Sequence, residues 1–173
     1  MLFTSISPEA FDHKNISKDI HEMNDHIKNL LVNAPPSHEI PFDVLQEIRR
    51  QGGGLLAFQP YSDRAENRQI GIGDHKVMIR IINHDSPDFI YMHIHGGGHC
   101  IGAADMQDQS LEKISNDLNC VVVSVEYRLA PTNPYPAAPD DCETAAVWLI
   151  ENSKKEFNTC LLYTSDAADD TPC

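Results

Sequence analysis

The stretch FIYMHIHGGG, residues 89–98, decides the fold of this chain. It begins as an apolar, β-prone run that predicts a buried strand, and three consecutive glycines, Gly96, Gly97 and Gly98, follow. Glycine loses more backbone freedom on folding than any other residue, so a glycine triplet is expected where the main chain must lie close to something. The strand is therefore predicted to end in a loop that approaches a ligand. A plain tight turn is the alternative.

Strands and helices continue to alternate after the triplet. DQSLEKISNDLN (108–119) predicts a helix, CVVVSVEY (120–127) a second buried strand, and DDCETAAVWLIENSKKEF (140–157) a second helix. Near-continuous apolar strands that alternate with helices are typical of an α/β fold whose mostly parallel sheet is covered on both faces. Ligands of such sheets collect beyond the carboxyl ends of the strands, which is where the triplet lies.

The first half of the chain predicts two helices and a hairpin. One helix starts at Ser17 and has an apolar face of Ile20, Met23, Ile27, Leu30 and Leu31; the other runs from Pro41 to Gln51, with Val44, Leu45 and Ile48 inward, and ends at Gly52–Gly54. RQIGIGDHKVMIRII (68–82) predicts a β-hairpin that turns at Gly73 and Asp74. A nucleotide site at Gly71-x-Gly73 is disfavoured, because the full glycine fingerprint and the following helix are missing.

Length, charge and cysteine content exclude several classes of protein. The 173 residues suit one ordinary domain, and a formal net charge of -13 disfavours nucleic acid and anionic membrane surfaces as partners. The sequence has neither a secretory signal nor an apolar run long enough to span a membrane, so we expect a cytoplasmic protein. Five scattered cysteines without a CxxC pair favour free thiols over a disulfide framework. The oligomeric state stays open.

The glycine triplet also predicts a kind of chemistry. Without Cβ atoms, Gly96, Gly97 and Gly98 can turn their N–H groups toward a cavity, and two fixed donors can hold an oxygen atom as it gains negative charge. A metal site is a weaker alternative. His93 and His95 share one face of the strand, but no carboxylate or cysteine stands in a convincing place beside them. We therefore expect no metal and no cofactor.

Three motifs together resemble the hormone-sensitive-lipase branch of the α/β-hydrolases, a family of carboxylesterases. They are HGGG at 95–98, YRLAP at 127–131, and the run Pro136, Ala137 and Ala138, and the likeness extends over most of residues 15–157. The resemblance implies an α/β-hydrolase fold, a small-molecule ester substrate, and N-terminal helices that form part of a cap. It also implies that the N–H groups of Gly97 and Gly98 form an oxyanion hole and that His95 braces the loop.

Residues around these motifs have structural interpretations. Glu126 stands where the family more often has aspartate. Tyr127 is expected to pack in the core, and Arg128 to tie its loop to neighbouring carbonyl groups. Asp140 and Asp141 precede an apolar periodic run and are expected to start a helix.

A serine hydrolase of this kind also needs a G-x-S-x-G elbow, followed by an acid and a histidine. The sequence contains no such elbow, and its last histidine is His99. We therefore expect a fold truncated before the nucleophile elbow, and an inactive N-terminal part of a serine carboxylesterase or lipase whose Ser-Asp-His triad is absent here. A non-catalytic small-molecule-binding protein on the same scaffold is the alternative.

The last residues differ in character from the rest of the chain. CLLYTSDAADDTPC (160–173) is small, acidic and aperiodic, and resembles the translation of a sequencing adapter; a natural disordered acidic tail is the alternative. The predicted organisation is cap helices in 1–55, the N-terminal part of the hydrolase core in 56–159, and a non-native tail in 160–173. One side of the strand at 89–95 would then lack a partner.

Overall fold

The computed structural model describes residues 7–51, 60–160 and 162–166, and divides the chain into two compact units at Ile40 and Pro41. In the first unit, short 3₁₀ helices at Pro8–Phe11, His13–Asn15 and Ser37–Glu39 flank helix α1, Lys18–Asn33. The helix predicted from Ser17 is confirmed. Ser17 occupies the N-cap position, although its side chain makes no cap hydrogen bond.

The apolar face of α1 is solvent-exposed. Ile20, Met23, Leu30 and Leu31 keep 44–60% of their surface accessible, and the helix has no buried residue. An amphipathic helix gains most of its stability from packing that face, so α1 draws little stability from burial.

The second unit begins with helix α2, Phe42–Arg50, which has Pro41 as its N-cap and Gln51 as its C-cap. The helix was predicted correctly, but the burial of its apolar side chains was not: Val44 and Ile48 are 45% and 37% exposed. Amphipathic spacing identifies which side chains share a face, but not whether another element covers that face. The predicted stop at Gly52–Gly54 lies outside the described residues.

The predicted hairpin is present. Strands β1, Ala65–Ile72, and β2, His75–Ile82, pair antiparallel from Ala65 opposite Ile82 to Ile72 opposite His75, which leaves Gly73 and Asp74 as a two-residue turn. Gly73 has φ +58°, the positive value that such tight hairpin turns require.

The predicted strand and helix alternation is also confirmed. Strand β3, Phe89–Ile94, is followed by helix α3, Asp108–Leu118, strand β4, Cys120–Glu126, and helix α4, Ala137–Phe157. Strands β3 and β4 run parallel, and β4 pairs antiparallel with β2. These pairings give a mixed sheet in which the hairpin flanks the parallel strands, as the α/β prediction requires.

The end of the chain corrects one expectation. Residues Leu162–Asp166 form strand β5, which pairs parallel with β3 from Ile90 opposite Leu162 to Ile94 opposite Asp166. The predicted bare side of β3 was therefore wrong, and the sheet order is β1-β2-β4-β3-β5. Two side chains of β5 also take part: Leu162 packs against the core, and the Tyr163 ring meets the Phe89 ring edge to face with centroids 5.1 Å apart.

The hydrophobic core lies on the two faces of the sheet. β4 is buried at every position except Glu126, and α4 packs Ala145, Leu149 and Phe157 against one face. A smaller cluster lies under α3 and contains Ile82, Leu111, Cys120 and Val122. Across the described ranges, no helix combines the length and the apolar character needed to cross a lipid bilayer.

Candidate functional site

The glycine loop begins at the carboxyl end of β3, between β4 and β5 in the sheet. Gly97 and Gly98 have φ values of +132° and +60°, a region that L side chains rarely adopt. A Cβ atom on Gly97 would lie 2.0 Å from the carbonyl oxygen of Ile101, whereas one on Gly98 would meet nothing within 4 Å. Glycine is thus required at 97 by both space and conformation, and favoured at 98 by conformation alone.

The loop turns back on itself through the carbonyl group of Gly97. That oxygen accepts hydrogen bonds of 3.2 Å from the N–H groups of Cys100 and Ile101. The N–H groups of Gly97 and Gly98 donate to no other residue in the described ranges and take part in no strand ladder. Gly97 is half-buried and Gly98 is exposed. These two N–H groups therefore lie beyond the carboxyl end of β3 and outside the strand ladders.

His95 contacts the main chain at the start of this loop. Its ring is only 2% exposed and stacks on the ring of Tyr127 with centroids 4.1 Å apart. Nδ1 lies 3.0 Å from the carbonyl oxygen of Gly96, and the Tyr127 hydroxyl donates to the His95 carbonyl oxygen at 2.6 Å. Tyr127 thus packs as expected and also holds the main chain of the loop.

Burial lowers the pKa of His95, and the nearby His99 adds to that effect, although the Gly96 carbonyl and Asp105 oppose it. The ring is consequently neutral at physiological pH. The Gly96 carbonyl can only accept a hydrogen bond, so Nδ1 carries the proton and Nε2 is the acceptor. Nε2 is buried and has no hydrogen-bond partner among the described residues. A neutral, buried ring in this position is suited to bracing the loop.

Two further contacts secure the loop beyond the glycines. The Ala104 N–H donates to the Glu126 carboxylate at 2.6 Å, and the Ala130 N–H donates to the carbonyl oxygen of His99 at 2.8 Å. Burial raises the pKa of Glu126, and nearby Asp105 raises it further, against the lowering effect of the Ala104 N–H. Sequence analysis identified Glu126 only as a departure from the family pattern and gave it no role.

Arg128 is structural, as expected, but it binds a different partner. It points mainly to the Asp141 carboxylate, to which its main-chain N–H donates at 2.8 Å and its guanidinium at 2.9 Å, with one longer contact of 3.4 Å to the Ala137 carbonyl oxygen. His75 Nε2 lies 2.7 Å from the same carboxylate. Burial acts to raise the pKa of Asp141, but the bonds from Arg128 and His75 outweigh it and hold that pKa below its ordinary value.

The aspartates near the start of α4 lie inside the helix. Asp140 is in the first turn, as expected. Asp141 lies beyond the first turn, and its buried carboxylate anchors the loop that carries YRLAP, so the expected helix-start role was wrong for Asp141. His93 was considered as a metal ligand together with His95, but its side chain contacts a hydroxyl group. Its Nδ1 lies 2.9 Å from the Ser124 hydroxyl, and no group of three or more metal-binding side chains forms within the described parts of the chain.

Comparison with known proteins identifies the fold of the chain. Residues 91–165 match a family model described as alpha/beta hydrolase fold. The structure also superposes on a solved structure described as that of an arylesterase with a TM-score of 0.67 and 25% identity, over 84% of this chain and 49% of the other. The described part of the chain therefore has part of an α/β-hydrolase fold.

Curated proteins similar to this chain include esterases and lipases. An arylesterase of Saccharolobus solfataricus is 34% identical over 113 residues, which are 62% of this chain and 37% of that protein. Lipase 2 of Moraxella sp. (strain TA144) is 41% identical over 107 residues, which are 62% of this chain and 22% of that protein. The chain thus spans well under half the length of these two relatives.

Proposed function

We propose that this chain is the N-terminal part of a carboxylic ester hydrolase of the α/β-hydrolase family and that its glycine loop provides the oxyanion hole. The observation that carries the proposal is the pair of N–H groups on Gly97 and Gly98, which lie outside the ladders at the carboxyl end of β3. The names of the similar proteins, an arylesterase and a lipase, support the same class of reaction.

The proposed reaction is acyl transfer in two steps. A serine attacks the carbonyl carbon of the ester, the carbonyl oxygen becomes an oxyanion, and the N–H groups of Gly97 and Gly98 stabilise its charge as it forms. Collapse of this intermediate releases the alcohol, and water then releases the acid from the acyl-enzyme. Such donors act mainly on the transition state, and removal of one typically costs ~10²- to 10³-fold in rate.

The support beneath the loop determines whether these donors stay in place. His95 contributes a neutral ring that keeps the Gly96 carbonyl engaged, and Tyr127 ties down the main chain at His95. Neither side chain needs to touch the substrate. Both are positioning residues, because a displacement of about 1 Å at such a site can cost ~10²-fold in rate.

The nucleophile, acid and base of the proposed triad are not among the 173 residues: no G-x-S-x-G is present, and no histidine follows His99. We propose that they lie in a further segment, as the greater length of the relatives suggests. "Full-length protein" here denotes residues 1–159 joined to that segment. Residues 160–173 are proposed to be non-native, residues 1–55 to contribute to a cap, and residues 56–159 to form the N-terminal part of the catalytic core.

The proposal is tested by reading the source gene past the codon for Thr159 and by assaying the protein it encodes. We expect a G-x-S-x-G elbow with a later acid and histidine, hydrolysis of p-nitrophenyl acetate, and loss of turnover after treatment with a serine-directed phosphonate. Protein with the elbow serine changed to alanine is the control for hydrolysis by other side chains. A full-length protein without the triad, or without inhibitor-sensitive turnover, would favour the non-catalytic binding protein.

A further inference from the structure

Helix α2 is joined to the end of the glycine loop by one side chain. Gln46 Nε2 donates to the carbonyl oxygen of Gly102 at 2.7 Å, and its Oε1 accepts from the Gly102 N–H at 2.9 Å. The two residues are 56 positions apart in sequence. A glutamine amide has one donor and one acceptor side by side, so it pairs with both polar groups of a residue as a neighbouring strand would.

Gly102 in turn touches the residues that start the loop. It has φ +106°, and a Cβ atom on it would lie 2.5 Å from His95 Nδ1 and 2.6 Å from the carbonyl oxygen of Gly96. No other residue type fits at this position without moving the His95 ring or the main chain. A displacement of Gly102 would therefore be passed directly to the ring and the carbonyl group on which the oxyanion loop rests.

Gln46 also makes the side-chain hydrogen bonds by which α2 contacts another part of the chain. No other α2 side chain hydrogen-bonds to another element within the described ranges, and Phe42, Val44 and Ile48 are 48%, 45% and 37% exposed. Gly102 is buried, so its N–H and carbonyl groups would lose their partners if Gln46 were shortened. The pairing thus matters to both sides of the contact.

We infer that Gln46 is a positioning residue that fixes the glycine loop by pairing with both main-chain polar groups of Gly102. The chain of contacts runs from the α2 side chain to Gly102, then to His95 and Gly96, and from there to the two N–H donors. The catalytic consequence rests on the proposed ester hydrolysis, whereas the mechanical role does not. Gln46 therefore acts through Gly102 and does not need to meet the substrate.

The test compares four variants of the full-length protein. Gln46→Ala removes both hydrogen bonds, Gln46→Met keeps the approximate shape without them, and Gln46→Glu keeps an acceptor for the Gly102 N–H but lacks the donor. The matched control is Gln51→Ala at the end of the same helix. Gln51 is exposed, and among the described residues its side chain bonds only to Glu47, from Nε2 to Oε1 at 2.7 Å. Thermal unfolding shows that each variant is folded.

Two measurements are made on each protein. The first is hydrogen exchange of the Gly102 amide by NMR, and the second is kcat and KM for p-nitrophenyl acetate. We expect fast exchange of the Gly102 amide in Gln46→Ala and Gln46→Met, and partial protection in Gln46→Glu. We expect kcat to fall about 10- to 100-fold in the first two with little change in KM, because the loop acts on the transition state. Gln51→Ala should match the wild type in both.

Different outcomes refute the two proposals. If the wild type hydrolyses the ester and Gln46→Ala matches it in kcat, or if exchange of the Gly102 amide does not depend on Gln46, the positioning role is wrong. If Gly102 protection depends on Gln46 but the wild type shows no inhibitor-sensitive turnover, the pairing is supported and ester hydrolysis is overturned. Should the alanine variant fail to fold, the methionine and glutamate variants decide by the same criteria.

Discussion

Substituting alanine for each of two neighbouring glycines separates the conformational demand of the loop from its steric demand. Both Gly97 and Gly98 have positive φ, so alanine is unfavourable at either position. Only at Gly97 does the new methyl group meet an atom: the Ile101 carbonyl oxygen, at 2.0 Å. The substitutions Gly97→Ala and Gly98→Ala are chemically identical and adjacent, and each serves as the control for the other.

The size of the expected effect follows from that distance. Ordinary van der Waals contact begins at 3.4 Å, so relief of the clash in Gly97→Ala requires a separation of more than 1 Å between two segments of main chain. A misplacement of about 1 Å in a catalytic arrangement costs ~10²-fold in rate, and complete loss of one oxyanion donor ~10²- to 10³-fold. Gly98→Ala costs only the left-handed backbone penalty of about 1–2 kcal/mol in stability.

The assay is hydrolysis of p-nitrophenyl acetate by full-length protein, with active sites counted by a serine-directed inhibitor. We expect kcat of Gly97→Ala to fall about 100-fold or more, and kcat of Gly98→Ala to stay close to that of the wild type. A Gly97→Ala protein with wild-type kcat would refute the reasoning. So would a larger loss in Gly98→Ala, since no atom lies within 4 Å of that added methyl group.

Three further predictions concern the supports of the sheet and loop, each measured on full-length protein by urea unfolding. Asp108 is fully buried and binds the guanidinium of Arg80, so Asp108→Ala should lower the free energy of unfolding by ~3–5 kcal/mol. A loss below about 1 kcal/mol, which is typical of an exposed ion pair, would contradict this. Glu126→Ala should lower the free energy of unfolding by ~1–3 kcal/mol, because it leaves the buried Ala104 N–H unpaired. Glu126→Gln retains an acceptor and should be neutral or stabilising near pH 7, since burial already raises the pKa of the Glu126 carboxyl. Equal losses in both variants would show that the hydrogen bond is unimportant. Burial lowers the pKa of His95, so below the ordinary value of about 6.5 the unfolded chain binds a proton at His95 that the folded chain does not. Stability should therefore fall as the pH drops from 7 toward 5, and His95→Asn should lessen that slope. An unchanged slope would indicate that His95 is protonated in the folded state.

Most of the fold could be predicted because its signals are local. The alternation in residues 68–82 identified the hairpin and its turn, and the apolar runs identified β3 and β4. Periodicity did not reveal whether a face would be covered, so the inward placement of Val44 and Ile48 was wrong. Strand β5 was missed because its five residues, LYTSD, have no apolar alternation of their own and pair with a strand that lies more than 60 residues earlier in the sequence.

The site was predicted in part for the same reason. The glycine triplet and its position after a strand are contiguous in sequence, and so the loop could be identified. Its supports are contacts from side chain to main chain between distant segments, such as Glu126 with Ala104 and Gln46 with Gly102, and such contacts have no periodic pattern. Gly102 could have been suspected as a fourth glycine close behind the triplet, but only the structure shows that it lies against the His95 ring.

The donors proposed for this site are main-chain N–H groups, so a substitution affects them differently from a catalytic side chain. Every amino acid except proline has an amide hydrogen, so a point mutation at residue 97 or 98 moves the donor without deleting it. Space and backbone conformation should therefore decide which residues are tolerated: only glycine at 97, and also asparagine at 98, because asparagine tolerates a left-handed backbone. A substitution at either position should consequently misplace a donor by an amount that the local space determines, whereas replacement of a nucleophile removes the reacting atom itself.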